Sequence, residues 1–166
     1  MSRISLRAPT NEDEAEFVAG ARRSGSIHRP WVTPPITPAD YRAYLDNMVG
    51  PANAPLLVCL RGTGALVGVF NITNIVRGPF RSAYLGYYVF AGYEGQGLMS
   101  AGLRAVVRLA FGTLRLHRLE ANIQPGNAAS IALVKACGFA LEGYSPRYLK
   151  IGGRWRDHER WARVAK

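Results

Sequence analysis

Between Leu85 and Leu114 the apolar pattern changes period once, and the change falls across a loop of glycines. Leu85-Gly86-Tyr87-Tyr88-Val89-Phe90 is rich in aromatic and β-branched residues and predicts a strand. Ala91-Gly92-Tyr93-Glu94-Gly95-Gln96-Gly97 follows it. Beyond that loop Leu103, Val106, Val107, Ala110 and Leu114 recur at helical spacing, with Arg104, Arg108 and Arg115 on another face. Strand, glycine loop and helix N-terminus, in that order, can hold a diphosphate. Glycines let the backbone turn tightly, and the first unpaired N–H groups of the helix point at the anion. A tight strand-to-helix connection without any ligand carries the same string, so the loop alone leaves both readings open. A dinucleotide fold needs Gly-x-Gly-x-x-Gly just after the first strand, whereas this loop follows the fourth and lacks the third glycine at that spacing. A Walker-type loop needs Gly-Lys-Ser or Gly-Lys-Thr, which is absent.

The flanking segments predict one domain over residues 1–166, without repeats or low-complexity linkers. Ser2 to Arg7 alternates as a first strand. Asn11 to Arg23 reads as a helix with Asn11 as its cap, acids at its start and Arg22 and Arg23 at its end. Prolines at 30, 34, 35 and 38 make Ile27 to Pro38 a stiff connector, and a second helix runs from about Ala39 to Met48. Leu56 to Arg61, Leu66 to Val76 and Ala83 to Phe90 predict a meander of three strands. After the apolar helix, Leu116 to Gln124 returns to a strand, and Asn127 caps a short helix that stops at Gly138. Phe139 to Lys150 and Arg154 to Val164 form a hairpin turned at Ile151-Gly152-Gly153. The order β-α-α-β-β-β-α-β-α-β-β indicates an α/β (α+β) domain: a mixed, mostly antiparallel sheet of about seven strands flanked by about four helices.

Charge narrows the partners without naming one. The net charge is +10, and Lys135, Lys150 and Lys166 are the only lysines, so the excess is arginine. Anionic partners fit such a balance: a nucleic acid, a ribosome surface or a phosphorylated cofactor. Arginine-biased usage on a solvated surface fits it equally. Cys59 and Cys137 lie far apart, as reduced thiols of a cytoplasmic protein would, and the three histidines show no ligand spacing, so no metal is expected. No apolar run is long enough to span a bilayer, and Met1 to Ser5 lacks a signal-peptide core, so no membrane partner is expected.

The loop residues Glu94-Gly95-Gln96-Gly97-Leu98-Met99 resemble the acetyl-CoA-binding motif Gln/Arg-x-x-Gly-x-Gly/Ala of the GNAT N-acetyltransferases. Asn127-Ala128-Ala129-Ser130 and Cys137-Gly138-Phe139 resemble the family's Asn-x-x-Ser segment and its Cys-Gly-Phe close. Asn71 to Gly78, Tyr84 to Tyr87 and Gly152 to His158 are similar to the ribosomal-protein alanine N-acetyltransferase (RimJ-like) branch, and His28-Arg29-Pro30-Trp31 to a Pro-Trp loop. The resemblance implies a GNAT fold and acetyl-CoA as co-substrate. It implies an acceptor that is a protein N-terminus or a small amine such as an antibiotic or polyamine, with possible ribosome association. A monomer and a homodimer fit it equally. A basic module that binds RNA is a third reading, although no RNA-reading motif accompanies the charge.

The same resemblance implies site residues. Tyr88, Val89 and Phe90 would pair with the pantetheine arm, and one of their N–H groups would polarise the thioester carbonyl. Gly95, Gln96, Gly97, Leu98, Met99 and Ser100 would hold the diphosphate, with Asn122 and Asn127 also on the cofactor. Glu94 stands where the family often has Gln or Arg, so backbone donors carry that contact and Glu94 turns to solvent. Ser130 is the candidate proton donor to the departing thiolate, with Tyr144 in reserve. Glu120 is the candidate base, on one strand face with Asn122. Trp31, Asn71, Asn74 and Tyr87 are candidates for the acceptor pocket. Arg104 and Arg108 either reach the cofactor's 3′-phosphate or form a solvated face. A peptide α-amine has a pKa of about 7.7–8.0, so on the order of a tenth is free base at neutral pH, whereas a lysine amine at about 10.4 is far less available. An enzyme for N-terminal amines therefore needs only a modest base.

Overall fold

The computed structural model describes residues 1–166, and its architecture is set by one long sheet with helices on both faces. The strands are β1 (Ile4–Arg7), β2 (Ala54–Leu60), β3 (Leu66–Val76), β4 (Ser82–Val89), β5 (Arg118–Ile123), β6 (Ala140–Ile151) and β7 (Arg154–Val164). The helices are α1 (Glu14–Arg23), α2 (Gly25–His28), α3 (Pro38–Asn47), α4 (Leu98–Phe111) and α5 (Ala128–Ala136). The seven strands lie in the order β1-β2-β3-β4-β5-β7-β6. Every neighbouring pair is antiparallel except β4 with β5, which is parallel. The short helix α2 runs two residues, Ile27 and His28, into the segment that the prolines predict as irregular, because the chain stays helical up to His28 before Pro30.

Two apolar cores sandwich the sheet. The amphipathic face of α4 puts Leu103, Val106, Val107 and Ala110 against Phe70, Ile72 and Leu85 on one side. On the other, Phe17 of α1 and Tyr41 of α3 pack on Leu57, Val69 and Phe90. Strand β3 sits between the layers, and its first five residues are all buried. That continuous burial explains why they read as an unbroken apolar run rather than an alternating one. Helix α4 comes very close to the sheet at Gly102, where a Cβ would stand 2.9 Å from the Phe70 ring and 3.3 Å from Val58.

Local caps fix where the helices begin. Thr10, not Asn11, opens the first helical segment: its hydroxyl accepts from the Glu12 N–H at 3.3 Å, and the Asp13 carboxylate accepts from the Thr10 N–H at 2.8 Å. This reciprocal pair is a capping box, and Asn11 lies inside the turn that it closes. Asp13 also takes both guanidinium nitrogens of Arg7, at 2.6 and 2.8 Å, which ties α1 to β1. Asn127 does cap α5, accepting from the Ser130 N–H at 3.3 Å.

The Arg7 guanidinium holds the Asp13 carboxyl below its ordinary value of 3.8. The unfolded chain therefore binds that proton more readily, and the contribution of Asp13 to stability is present above pH 3.8 and lost as pH falls further. Thermal melts of Asp13→Asn should show a lower midpoint at neutral pH and a smaller loss on acidification than the unaltered chain.

Candidate active site

Pairing between β4 and β5 ends early, and the site begins where it stops. Only Ser82, Ala83 and Tyr84 are matched, to Arg118, Leu119 and Glu120. Beyond that point the two strands diverge. The Phe90 N–H is given to the Val67 carbonyl of β3 at 2.8 Å, so by strand alternation the main-chain groups of Val89 and Tyr87 face the gap. The gap widens into a cavity of about 540 Å³ between α2 on one side and the N-terminal turns of α4 and α5 on the other.

The loop before α4 is shaped by its own side chains. Gly92, Gly95 and Gly97 all have positive φ, at 96°, 72° and 75°. Nothing stands within 4 Å of a Cβ placed on Gly92 or Gly95, so backbone conformation rather than crowding demands glycine there. Glu94 is exposed, as expected, and its carboxylate accepts the Gly92 N–H at 2.7 Å. Gln96 turns back as well, donating to the Gly92 carbonyl at 2.7 Å, and Arg3 donates to the Gln96 carbonyl. With Glu94 so engaged, the first turn of α4 presents bare N–H groups to the cavity, a cradle that suits a diphosphate. Arg3 adds a cation at its rim, 3.8 Å from where a Cβ of Gly97 would sit.

Across the cavity, the Tyr87 hydroxyl lies 2.6 Å from Ser130 Oγ and 3.1 Å from the Ser130 carbonyl oxygen. Burial pushes the Tyr87 phenol well above its ordinary value, so it stays protonated. On the α2 side His28 is 4% exposed and donates through Nε2 to the Val89 carbonyl at 2.7 Å. Burial lowers the His28 pKa from 6.5, so the ring is neutral, and its Nδ1 has no partner. Trp31 stands next along the wall. Its backbone is held by Gln124, whose amide donates to the Pro30 and Trp31 carbonyls at 3.2 and 3.4 Å. Its ring packs on Gly126, where a Cβ would come within 3.2 Å.

Of the residues predicted from sequence, Trp31, Tyr87, Tyr88, Val89, Gly95, Gly97, Leu98, Met99, Ser100, Asn127 and Ser130 line this cavity. The others lie outside its lining, each for a local reason. Phe90 is buried in the α1 core and its N–H is spent on β3. Gln96 is folded onto its own loop. Glu120 is tied to Arg118 at 2.7 Å, and Arg118 also grips Glu142 of β6, so this carboxylate belongs to an ion-pair cluster on the sheet. Asn122 shares that face, and its Oδ1 is buried without a partner. Asn71 accepts the Tyr44 hydroxyl at 2.6 Å, and Asn74 occupies a left-handed position, φ 51°, in the irregular stretch of β3. Tyr144 is exposed and donates to Asp157 at 2.6 Å. Arg104 ties α4 to the end of α5 through the Ala136 carbonyl at 3.4 Å. Gln124 and Arg3 carry no motif and are found only through the fold, as is the contact of His28, which sits in the Pro-Trp loop, with Val89.

The model of the acetyltransferase (GNAT) domain family matches residues 3–140. The chain belongs to the GNAT acetyltransferase family. Among its relatives, the [ribosomal protein uS5]-alanine N-acetyltransferase of Escherichia coli (strain K12) is 44% identical over 93 residues, 56% of this chain and 48% of that protein. A probable N-acetyltransferase of Bacillus subtilis (strain 168) is 37% identical over 94 residues, 57% of this chain and 52% of the relative. The chain thus spans about half the length of these curated relatives, at 48% and 52%. Mycobacterium smegmatis RimJ, solved in complex with CoA-disulfide, superposes with a TM-score of 0.90 at 28% identity, over 98% of this chain and 82% of that one. A spermidine N-acetyltransferase from Vibrio cholerae, solved with CoA and spermine, shares the GNAT fold at a TM-score of 0.82 and 19% identity, over 98% and 95% of the two chains.

A β-branched side chain is strained at positive φ, so Gly97→Val should reshape the turn that opens α4. Calorimetric titration with CoA should show affinity at least about tenfold weaker, the equivalent of roughly 1.4 kcal/mol.

Proposed function

We propose that this GNAT domain transfers an acetyl group from acetyl-CoA to the α-amine of a protein N-terminus. The observation that carries the reading is the cavity at the divergence of β4 and β5, with the α4 cradle at one end and the Tyr87–Ser130 pair on its wall. The bare first turn of α4 and its left-handed glycines suit a diphosphate, and the CoA-bound RimJ relative supports the same ligand. Bound acetyl-CoA supplies a thioester, whose carbon accepts the amine as the bond to sulfur breaks.

The chain's own groups divide the remaining work. The Val89 N–H, facing the gap, is the donor for charge that develops on the acetyl oxygen. Either hydroxyl can donate across the 2.6 Å contact; with Tyr87 as donor to Ser130 Oγ, the serine proton is free to go to the departing sulfur. Tyr87 stays protonated and holds the serine in place, and Ser130 regains its proton from the water that takes the one shed by the amine. The amine enters as free base and sheds its second proton to water, a modest demand for an α-amine and a severe one for a lysine.

The name of the Escherichia coli relative supports an N-terminal alanine, and hence a ribosomal protein, as acceptor. A polyamine acceptor, suggested by the spermidine N-acetyltransferase neighbours, is less well served. Glu94 is the one acid in the cavity lining, and its carboxylate already holds the Gly92 N–H.

Thiol release from acetyl-CoA should be seen with short peptides that begin Ala or Ser and be weak with spermidine; turnover confined to spermidine overturns the reading. Ser130→Ala should lower kcat about 10²-fold or more, in line with loss of a general acid, with CoA affinity little changed. Tyr87→Phe should lower kcat by less, because serine keeps its own proton.

A further inference from the structure

A second cavity, of about 300 Å³, opens on the far side of Trp31. It is lined by Gln124, Pro125 and Gly126 after β5, by Trp31, and by Trp155, Arg156 and Asp157 at the start of β7. Trp31 belongs to both cavities, and Gly126 immediately precedes Asn127 of the first, so the two spaces share one wall. An extended chain advances about 3.3–3.6 Å per residue, so two or three residues span roughly 7–11 Å, the scale of a tryptophan side chain.

The polar groups of this second space are unevenly satisfied. Both oxygens of Asp157 are occupied, one by the Tyr144 hydroxyl at 2.6 Å and the other by the Arg147 N–H at 2.8 Å. Gln124 is engaged with the Pro30 and Trp31 carbonyls. Arg156 is half-buried, but its Nε is shut away from solvent without an acceptor, and no carboxylate of the chain pairs with it. A buried donor without a partner is costly. A neutral carbonyl would satisfy the hydrogen bond but leave the charge. A carboxylate satisfies both, in the forked geometry that arginine favours.

We propose that this cavity is an acceptor subsite in which Arg156 takes a side-chain carboxylate at the second to fourth residue of the acceptor peptide. The proposal rests on the N-terminal reading above and adds a sequence preference to it. Trp31 and Trp155 then flank the peptide while its amine lies in the first cavity.

The test compares Ala-Glu-Glu-Glu with Ala-Gln-Gln-Gln, carried on an identical neutral tail. Their N-acetylated forms are titrated by calorimetry into CoA-loaded protein, so the result does not require turnover. Unaltered protein should bind the glutamate peptide about tenfold more tightly, as a charge-assisted contact gives. That preference should vanish in Arg156→Met and return in part in Arg156→Lys. Equal affinities in the unaltered protein overturn the proposal, as does failure of both peptides to bind. A preference that survives Arg156→Met and fades with added salt also overturns it, assigning selectivity to the general field of a +10 chain. Thiol release with the unacetylated glutamine peptide tests the N-terminal reading separately: binding selectivity without acetylation would sink that reading and leave the subsite standing.

Discussion

Strand β4 loses its neighbour after Tyr84, and the site follows from that loss. Backbone N–H and C=O groups inside a protein must find partners. In most of this sheet they find the next strand, but beyond the divergence Val89 offers its groups to a cavity instead. One of them, the Val89 carbonyl, is taken by His28, which fixes α2 over the gap. Sequence favours the divergence through the glycine loop, which leaves β4 at Phe90 and carries the chain across the sheet into α4. The two cores hold the arrangement open, since α4 packs on one face and α1 with α3 on the other.

The glycine loop carries one carboxylate, Glu94, which lines the cavity. Instead of leaving the loop, the carboxylate caps the Gly92 N–H within it. The carboxylate is thereby held by its own loop and the turn is stiffened. The same economy appears on the sheet, where Glu120 and Glu142 share Arg118. Carboxylates in this arginine-rich chain tend to be held by partners, which is why a base chosen from a strand face alone is a weak choice. Arg156 is the reverse case: a cation whose Nε is buried without an acceptor.

Much of the fold was legible because its signals are local. The period change after Gly97, the proline at the first turn of α3 and the asparagine before α5 each act within a few residues. Their elements appear where the pattern predicts them. Asn11 misled because Thr10 and Asn11 are both competent caps, and the Arg7–Asp13 contact that favours Thr10 comes from another element. Among site residues, those contiguous with the glycine loop or the start of α5 line the cavity, since a motif fixes neighbours in sequence. Asn71, Asn74 and Glu120 lie away from those motifs, and each meets a partner or a backbone duty that local sequence does not reveal.

By itself the sequence determined the elements, the loop that turns into α4, and a family whose chemistry uses a thioester, because these depend on backbone preference and short spacing. Only the tertiary structure decided which side chains meet: Tyr87 with Ser130, His28 with Val89, Gln124 with the Trp31 loop, and Arg156 with no one. The reason is that hydrogen bonds and ion pairs act over about 3 Å. Such contacts join residues tens of positions apart, and only the packed sheet and its two helical layers bring them within that distance.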